Sequence, residues 1–366
     1  MKILVTGAAG FIGGYLVQEL LRAGHEVIGL DNFSKYGPVR QASDSHPGYR
    51  FVQGDAKDIE LLKELARDVD QLVAGAAMIG GIGYFHKYAY DLLAENERIT
   101  AATFDSAIHA RRQHRLERIV VLSSSMVYES APMWPTPEGH QRQCPPPAST
   151  YGFQKLAVEY FAQGAWEQHG LPYTIVRPFN CVGIGERQAV SDAATQEVGR
   201  IANPSHNRSE WPVVCDAATP EGNLRLATSH VLPDLVMKVL RGDDPLHLLG
   251  DGNQVRHYTY GGDLARGIRL AMESDAAVNE DFNLSTDRST TVRELAELIW
   301  GRLWPPGAPG LNIVYDEPYR YDVQRRVPDT SKARRILGFQ ATTPLEQVLD
   351  EVIPWIRQQM ELGKLG

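Results

Sequence analysis

Tyr151-Gly152-Phe153-Gln154-Lys155 sets a phenol and an ammonium four residues apart. On a helix that spacing puts both groups on one face. A free phenol titrates at about pH 10, too high for a base at neutrality, but a neighbouring cation favours the phenolate. Such a phenolate can take the proton from a hydroxyl while hydride leaves the same carbon. Ser123-Ser124-Ser125 closes the apolar run Arg118–Leu122 and can present a further hydroxyl to the reacting oxygen.

Hydride needs an acceptor, and the N-terminus supplies a place for one. Thr6-Gly7-Ala8-Ala9-Gly10-Phe11-Ile12-Gly13 follows an apolar strand and opens a helical pattern. Glycines there let backbone N–H groups approach a pyrophosphate at a helix N-terminus. The spacing is G-x-x-G-x-x-G, a variant of the G-x-G-x-x-G fingerprint. Asp31 ends the second apolar run, where a carboxylate accepts from adenosine ribose hydroxyls and repels a 2′-phosphate. That favours NAD over NADP. Asp55, in Gly54-Asp55-Ala56 after the third run, is placed to cap the adenine amino group.

The elements that must hold these groups alternate along the first half of the chain. Apolar runs at Lys2–Thr6, His25–Leu30, Phe51–Gln53, Gln71–Ala74, Arg118–Ser123 and Tyr173–Phe179 read as strands. Helical patterns at Gly13–Ala23 and Tyr151–His169 separate some of them, the order of parallel strands joined by crossover helices. The expected fold is α/β: a Rossmann-like doubly wound parallel sheet with a smaller α/β substrate-binding domain. Residues 187–228 show no sustained period and read as a functional loop or irregular insertion. Helical patterning resumes at Ser229–Leu240, Asp263–Met272, Val292–Leu303 and Pro344–Met360, with strands at Val255–Tyr260 and Phe282–Leu284. The expected division is a dinucleotide domain over 1–180, with a returning segment near 255–286, and a second domain from 181–254 and 287–366.

Composition narrows the classes. With 366 residues, 43% of them hydrophobic, the chain can bury a full core. A net charge of -8 and scattered basic residues argue against nucleic acid. The densest basic group, Arg111, Arg112, Arg115 and Arg118, ends a helical pattern where cations complement the dipole. No apolar stretch approaches the roughly 20 residues that cross a bilayer, and no charged leader precedes the first strand. The expectation is a soluble cytoplasmic protein with no membrane partner. Cys144, Cys181 and Cys215 lie far apart without a C-x-x-C pair, so neither a disulfide framework nor a metal site is expected.

Taken together, T-G-A-A-G-F-I-G, Asp31, G-D-A, the serine run before Val127-Tyr128, Y-x-x-x-K and Arg177-Pro178-Phe179-Asn180 resemble the extended short-chain dehydrogenase/reductases, the NAD-dependent nucleotide-sugar epimerase/dehydratase family. The resemblance covers nearly the whole chain. It implies a catalytic triad of Ser124, Tyr151 and Lys155, the serine being the one three residues before Val127. It implies cofactor contacts from Gly7, Gly10, Phe11, Ile12, Asp31, Asn32, Asp55, Ala56 and Ala76, with Tyr151, Lys155, Pro178 and Asn180 at the nicotinamide end. The partner implied is a nucleotide-diphosphate sugar, touched by Gly80, Gly81, Ser124, Ser125, Met126 and Asn180. Arg256, in Leu249-Gly250-Asp251-Gly252-Asn253-Gln254-Val255-Arg256, and Arg325 or Arg326 stand where relatives hold the diphosphate. Many relatives dimerise through two dinucleotide-domain helices per subunit, which implies a homodimer.

Within that family the chain departs from several reaction types. The 4,6-dehydratases carry Asp-Glu just after the catalytic Ser or Thr, and the decarboxylases a nearby Glu; here those places hold Ser125 and Met126. Ala76-Ala77-Met78-Ile79-Gly80-Gly81 resembles the GG loop of GDP-mannose 3,5-epimerase, yet the proton-moving cysteine of that enzyme is Met126 here. A 3,5-epimerisation would then need another base, such as His86. The expected reaction is a 4-epimerisation through a transient 4-keto sugar. The alternatives are a GDP-mannose 3,5-epimerase-like enzyme and, in a different class, a non-catalytic dinucleotide-sensing protein.

Overall fold

The structure is a computed structural model that describes residues 1–38, 41–80, 87–186, 230–305, 307, 309–318 and 322–363. Gly81, His86 and the insertion at 187–228 lie outside the described residues.

The first half builds the sheet. Strands β1 (Lys2–Thr6), β2 (Glu26–Asp31), β3 (Tyr49–Gln53), β4 (Gln71–Ala74), β5 (Arg118–Leu122) and β6 (Tyr173–Pro178) alternate with helices α1 (Phe11–Arg22), α2 (Ile59–Ala66), α3 (Ala89–Gln113) and α4 (Thr150–His169). A late strand, β11 (Glu280–Leu284), joins the edge beside β6 and completes seven parallel strands in the order β11-β6-β5-β4-β1-β2-β3. The order turns back on either side of β1 and β4, the switch point where such sheets open a crevice at their carboxyl ends. Strands β1, β5 and β6 are buried on both faces and run as near-continuous apolar segments.

Two apolar layers cover the sheet. Leu16, Val17 and Leu20 of α1 pack with Leu264, Ile268 and Met272 of a later helix, Gly261–Glu273, on one face. Leu62 and Leu65 of α2, Phe104 and Ala107 of α3, and Val158 and Ala162 of α4 cover the other. A separate core joins Leu232, Leu235 and Val236 of Val231–Arg241, Leu295 and Ile299 of Val292–Leu303, and Val348, Val352 and Ile356 of Leu345–Glu361. Leu246–Leu249 and Ile313–Asp316 pair beneath it as a parallel ribbon. The chain's tail does not belong wholly to this second core. Ala333, Leu337 and Phe339, from the short helix Ser331–Leu337 and its end, sit in the first core against β11.

Most expected elements recur within one or two residues. The expected strand Val255–Tyr260 divides into β9 (Val255–Arg256) and β10 (Thr259–Tyr260), which pair with different partners. Among the described residues no helix is long and apolar enough to cross a membrane.

One buried charge cluster ties the edge of this sheet together. Arg177 of β6 is fully buried, and its Nε and Nη2 donate to both carboxylate oxygens of Glu159 on α4 at 2.7 and 2.8 Å. Nη2 also pairs with Asp281 of β11 at 2.7 Å, and Nη1 donates to the Tyr128 hydroxyl at 2.8 Å. Ser123 Oγ and Gln141 Nε2 donate to the remaining lone pairs of Glu159. Burial opposes ionisation of Asp281, but Arg177 and Lys332 outweigh it and bring the carboxyl down to about 2.

Removing Arg177 leaves the Glu159 carboxylate buried without a cation, while Asp281 keeps Lys332, so Arg177→Met is expected to destabilise the fold by about 3–5 kcal/mol. Thermal unfolding at neutral pH reads this directly. Because Asp281 titrates lower in the folded chain than in the unfolded one, its contribution is complete above about pH 4. It is lost as pH falls toward 2, and Asp281→Asn should flatten the acid limb of stability over that window.

Candidate active site

The glycine turn after β1 is built for close approach. Gly7 sits at φ +75°, and a Cβ there would meet the backbone of Gly75 and Ala76 at 2.9 Å. A Cβ on Gly13 would stand 2.1 Å from the Gly7 carbonyl oxygen, so a side chain at 13 would force α1 away from the turn. Gly10 caps α1 without a side-chain bond, and no acidic residue occupies the first turn. The helix therefore presents its N-terminal N–H groups, Phe11 and Ile12 among them, to the crevice, the arrangement that binds a pyrophosphate.

Asp31, half-buried at the end of β2, accepts from Ala9 N at 3.0 Å and Phe33 N at 2.8 Å. Burial pushes its carboxyl up, against the pull of those backbone donors. It thus secures the glycine turn while standing where the adenosine ribose is expected. Asn32 accepts from Ser34 N, Asp55 accepts from Lys57 N, and Ala56 is buried beside them. Thr6 was not singled out by the sequence, yet its hydroxyl accepts from both Gly75 N and Ala76 N at 3.1 Å, joining the ends of β1 and β4. Asn96 of α3, also unforeseen, holds the next loop by accepting from Met78 N at 2.7 Å and donating to Met78 O at 2.9 Å. Gly80 is buried at the end of that loop.

The reacting groups converge at the carboxyl ends of β5 and β6. Ser149 caps α4 through Gly152 N, and Tyr151 lies in the first turn, almost wholly buried. Its phenol is hydrogen-bonded to the Ser124 side chain. Burial pushes the phenol up, while Ser124 and the charge of Arg326 pull it down. Lys155 stands one turn further on and donates to Leu122 O at 2.9 Å. Burial brings its ammonium down to about 8, opposed by Glu159. Ser124 is the serine that meets Tyr151, whereas Ser123 turns away to Glu159. Met126, 5% exposed, packs with Tyr151, Leu92, Ile79 and Val323, so the reacting end of the pocket has an apolar wall. Ser125 is buried in the same short turn.

Asn180, at φ 34°, has a buried side-chain oxygen with no hydrogen-bond partner among the described residues. Pro178 ends β6 just before it. Arg177, next to them in the motif, points into the buried cluster under the sheet edge.

Two arginines come from later in the chain. Arg256 of β9 is 7% exposed and pairs with Asp322 at 3.1 Å. Segment 322–328 runs alongside β9 with Val255 opposite Arg325, so Arg325 and Arg326 face opposite ways. Arg325 is exposed and stacks on Trp134, 5.7 Å from its ring centre. Arg326 turns inward beside Arg256, Tyr258 and Tyr151, and its buried Nε finds no partner among the described residues. Of the two candidates, the one in the site is Arg326. Among the described residues no group of three or more His, Cys, Asp or Glu could hold a metal ion.

Comparison with known proteins places this geometry. The profile described as the NAD dependent epimerase/dehydratase family matches residues 3–212, and that described as GDP-mannose 4,6 dehydratase matches residues 217–352. UDP-glucuronic acid decarboxylase 1 of Danio rerio is 25% identical over 98% of this chain and 73% of its own length. A UDP-glucose 4-epimerase of Thermotoga maritima, solved with UDP-glucose, superposes with a TM-score of 0.73 at 26% identity, covering 98% of this chain and 100% of its own. A dTDP-glucose 4,6-dehydratase of Streptomyces venezuelae, solved with NAD, gives 0.78 at 26% identity, covering 99% and 98%.

Asp31→Ala is expected to weaken NAD binding at least about tenfold, the scale of one charge-assisted hydrogen bond. It should also narrow the preference over NADP, because the carboxylate that repels a 2′-phosphate is gone. Isothermal titration with both dinucleotides measures this, and an unchanged ratio of affinities would remove Asp31 from cofactor selection.

Proposed function

Because the chain belongs to the NAD dependent epimerase/dehydratase family, we propose that it is a nucleotide-diphosphate-sugar 4-epimerase working through a transient 4-keto intermediate. NAD is the family's cofactor, and the residues present suit it: an uncapped helix N-terminus, a turn that admits no side chain at Gly13, and a carboxylate at the ribose position. When bound, NAD supplies a hydride acceptor that later returns the hydride to the opposite face of the sugar.

The chain's own groups manage the proton. Tyr151, as phenolate, takes the proton from the C4 hydroxyl as the carbonyl forms, and gives it back when the ring has turned over. Ser124 holds the same oxygen by the hydrogen bond it shares with Tyr151. Lys155, one turn along α4, is placed to hold the nicotinamide ribose and to add positive charge near the phenolate. Asn180 and Arg256 are the expected diphosphate contacts. The sugar's other face rests on Gly80 and the apolar wall at Met126.

The observation that carries the reading is Met126. Its buried thioether stands beside Tyr151, where dehydratases and decarboxylases place carboxylates. A thioether moves no proton, so the chemistry that remains needs only the triad and the dinucleotide. The same argument weighs against 3,5-epimerisation. The presence of Tyr151, Lys155 and Ser124 in register weighs against a purely sensing role.

A homodimer is part of this proposal. Phe153, Leu156, Ala157, Tyr160 and Phe161 line a shallow apolar hollow on the outer side of α4, with Phe153 49% and Tyr160 59% exposed. Their spacing is that of a helix face seeking a partner. A second copy of α3 and α4 fits that need, and cytoplasmic assembly is the expected setting.

Proton NMR in deuterated buffer, against GDP-, UDP-, ADP-, CDP- and dTDP-sugars, tests the reaction. A C4 epimer free of ring deuterium is the expected product; deuterium at C3 or C5 would move the assignment to 3,5-epimerisation. Tyr151→Phe should retain NAD and lose turnover by several powers of ten, and a near-parental rate would reject the triad. Light scattering at micromolar concentration should give a dimer mass that Tyr160→Glu lowers to the monomer.

A further inference from the structure

We propose that Ser289 is an activated nucleophile with His257 as its base, and that it takes up the acyl group of an activated ester. Neither residue belongs to the sites described above.

The donor and acceptor roles follow from the partners. His257 Nδ1 stands 2.8 Å from Thr286 O. A carbonyl oxygen only accepts, so Nδ1 carries the proton. In a neutral imidazole the other nitrogen is then an acceptor, and it stands 2.9 Å from Ser289 Oγ. The serine therefore donates to Nε2. Burial keeps the ring neutral: His257 is 2% exposed, and desolvation brings it below the ordinary imidazole range against the pull of Thr286 O and Asp287. Ser289, by contrast, is exposed. Its proton is directed at a buried base while the residue itself is open to solvent. Nucleophile, base and orienting acceptor stand in the order that covalent catalysis uses, with a main-chain carbonyl in the orienting place.

The frame around these groups is fastened from several sides. Thr286 N donates to Thr259 Oγ1 at 3.1 Å, and Thr286 O takes a second bond from Ser285 Oγ at 3.0 Å, so the orienting carbonyl is held. Asp287 accepts from Thr330 and pairs with Arg334. The Arg288 guanidinium donates to both Glu346 oxygens at 2.7 and 2.6 Å. On the other side of Ser289, Thr290 pairs with Arg256, the residue before His257. Ser289 thus sits between two anchored neighbours, and strand register sets its distance from Nε2. The nearby Ser285, 2% exposed, shares its hydroxyl with Thr259 and the Thr286 carbonyl instead.

The step balances with the donor alone. Ser289 Oγ forms a bond to the acyl carbon, and the bond from that carbon to the leaving oxygen breaks. The serine proton passes to His257 Nε2 and from there to the leaving group or water. No oxidant or reductant takes part. The pair supplies attack and proton removal, so the donor has to bring its own good leaving group; an aryl ester meets that need and an amide does not.

The test follows the site of labelling. The purified full chain is treated with p-nitrophenyl acetate, and its peptides are weighed by mass spectrometry over time. Ser289 should gain an acetyl group about a hundredfold faster than the exposed Ser331 of the same chain, the scale that a positioned base contributes. His257→Gln should remove that advantage, and Ser289→Ala should leave its peptide unlabelled. If His257→Gln does not fold, the comparison of Ser289 with Ser331 in the parent chain decides alone. Equal labelling of the two serines overturns the proposal, as does labelling of Ser289 that His257→Gln leaves unchanged. Either result would make the three groups a tie between loop and strand and nothing more.

Discussion

Arg177 is the constraint on which the reacting site depends. A guanidinium with no exposed surface must be neutralised and hydrogen-bonded, and the cluster around it recruits α4 through Glu159, β11 through Asp281 and the turn after β5 through Tyr128. Replacing such a cluster with apolar residues need cost little stability, so its value lies in geometry. Glu159 is one helical turn from Lys155, which is one turn from Tyr151, while Ser123, bound to Glu159, adjoins Ser124. Holding Glu159 in two fixed bonds therefore sets the rotation and height of α4 against the serine strand. The triad's relative positions are consequences of a buried ion cluster that touches none of its members' reacting atoms.

At the other end of the crevice the controlling factor is space. The chain places glycine where a single methyl would strike backbone, at Gly13 against Gly7, and at Gly7 against Gly75. Thr6 and Asp31 then fasten the three strand ends that meet there through backbone N–H groups. A dinucleotide is bound mostly by main chain, so the precision has to come from how closely main chains approach.

The proposed 4-epimerisation rests on what the pocket withholds. Dehydration, decarboxylation and 3,5-epimerisation all call for a second proton-moving group near the sugar, and the wall beside Tyr151 is Met126, Leu92 and Val323. Charge enters instead through Arg256 and Arg326, carried on two strands that pair only because residues more than sixty positions apart fold side by side. The proposed pocket is thus chemically divided, with main chain and carboxylate toward the dinucleotide and guanidinium groups toward the diphosphate of the nucleotide sugar.

Local pattern was enough for much of this. Strand runs, helical periods, the glycine spacing and the Tyr151–Lys155 interval are all properties of neighbouring residues, and so is the α/β order they imply. The sequence by itself determined the fold class and the dinucleotide, and picked out the triad proposed above, because each is encoded within about 30 residues. It did not reveal the parallel pairing of Leu246–Leu249 with Ile313–Asp316, or that Leu337 and Phe339 return to the first core, because those depend on distant partners. It could not choose between Arg325 and Arg326, since in an extended segment adjacent side chains point to opposite faces and only the register against Val255 decides which enters the site. For the same reason it left Glu159, Asn96 and Thr6 unmarked: a polar residue buried for structure looks like any other until tertiary packing shows what it must neutralise or hold.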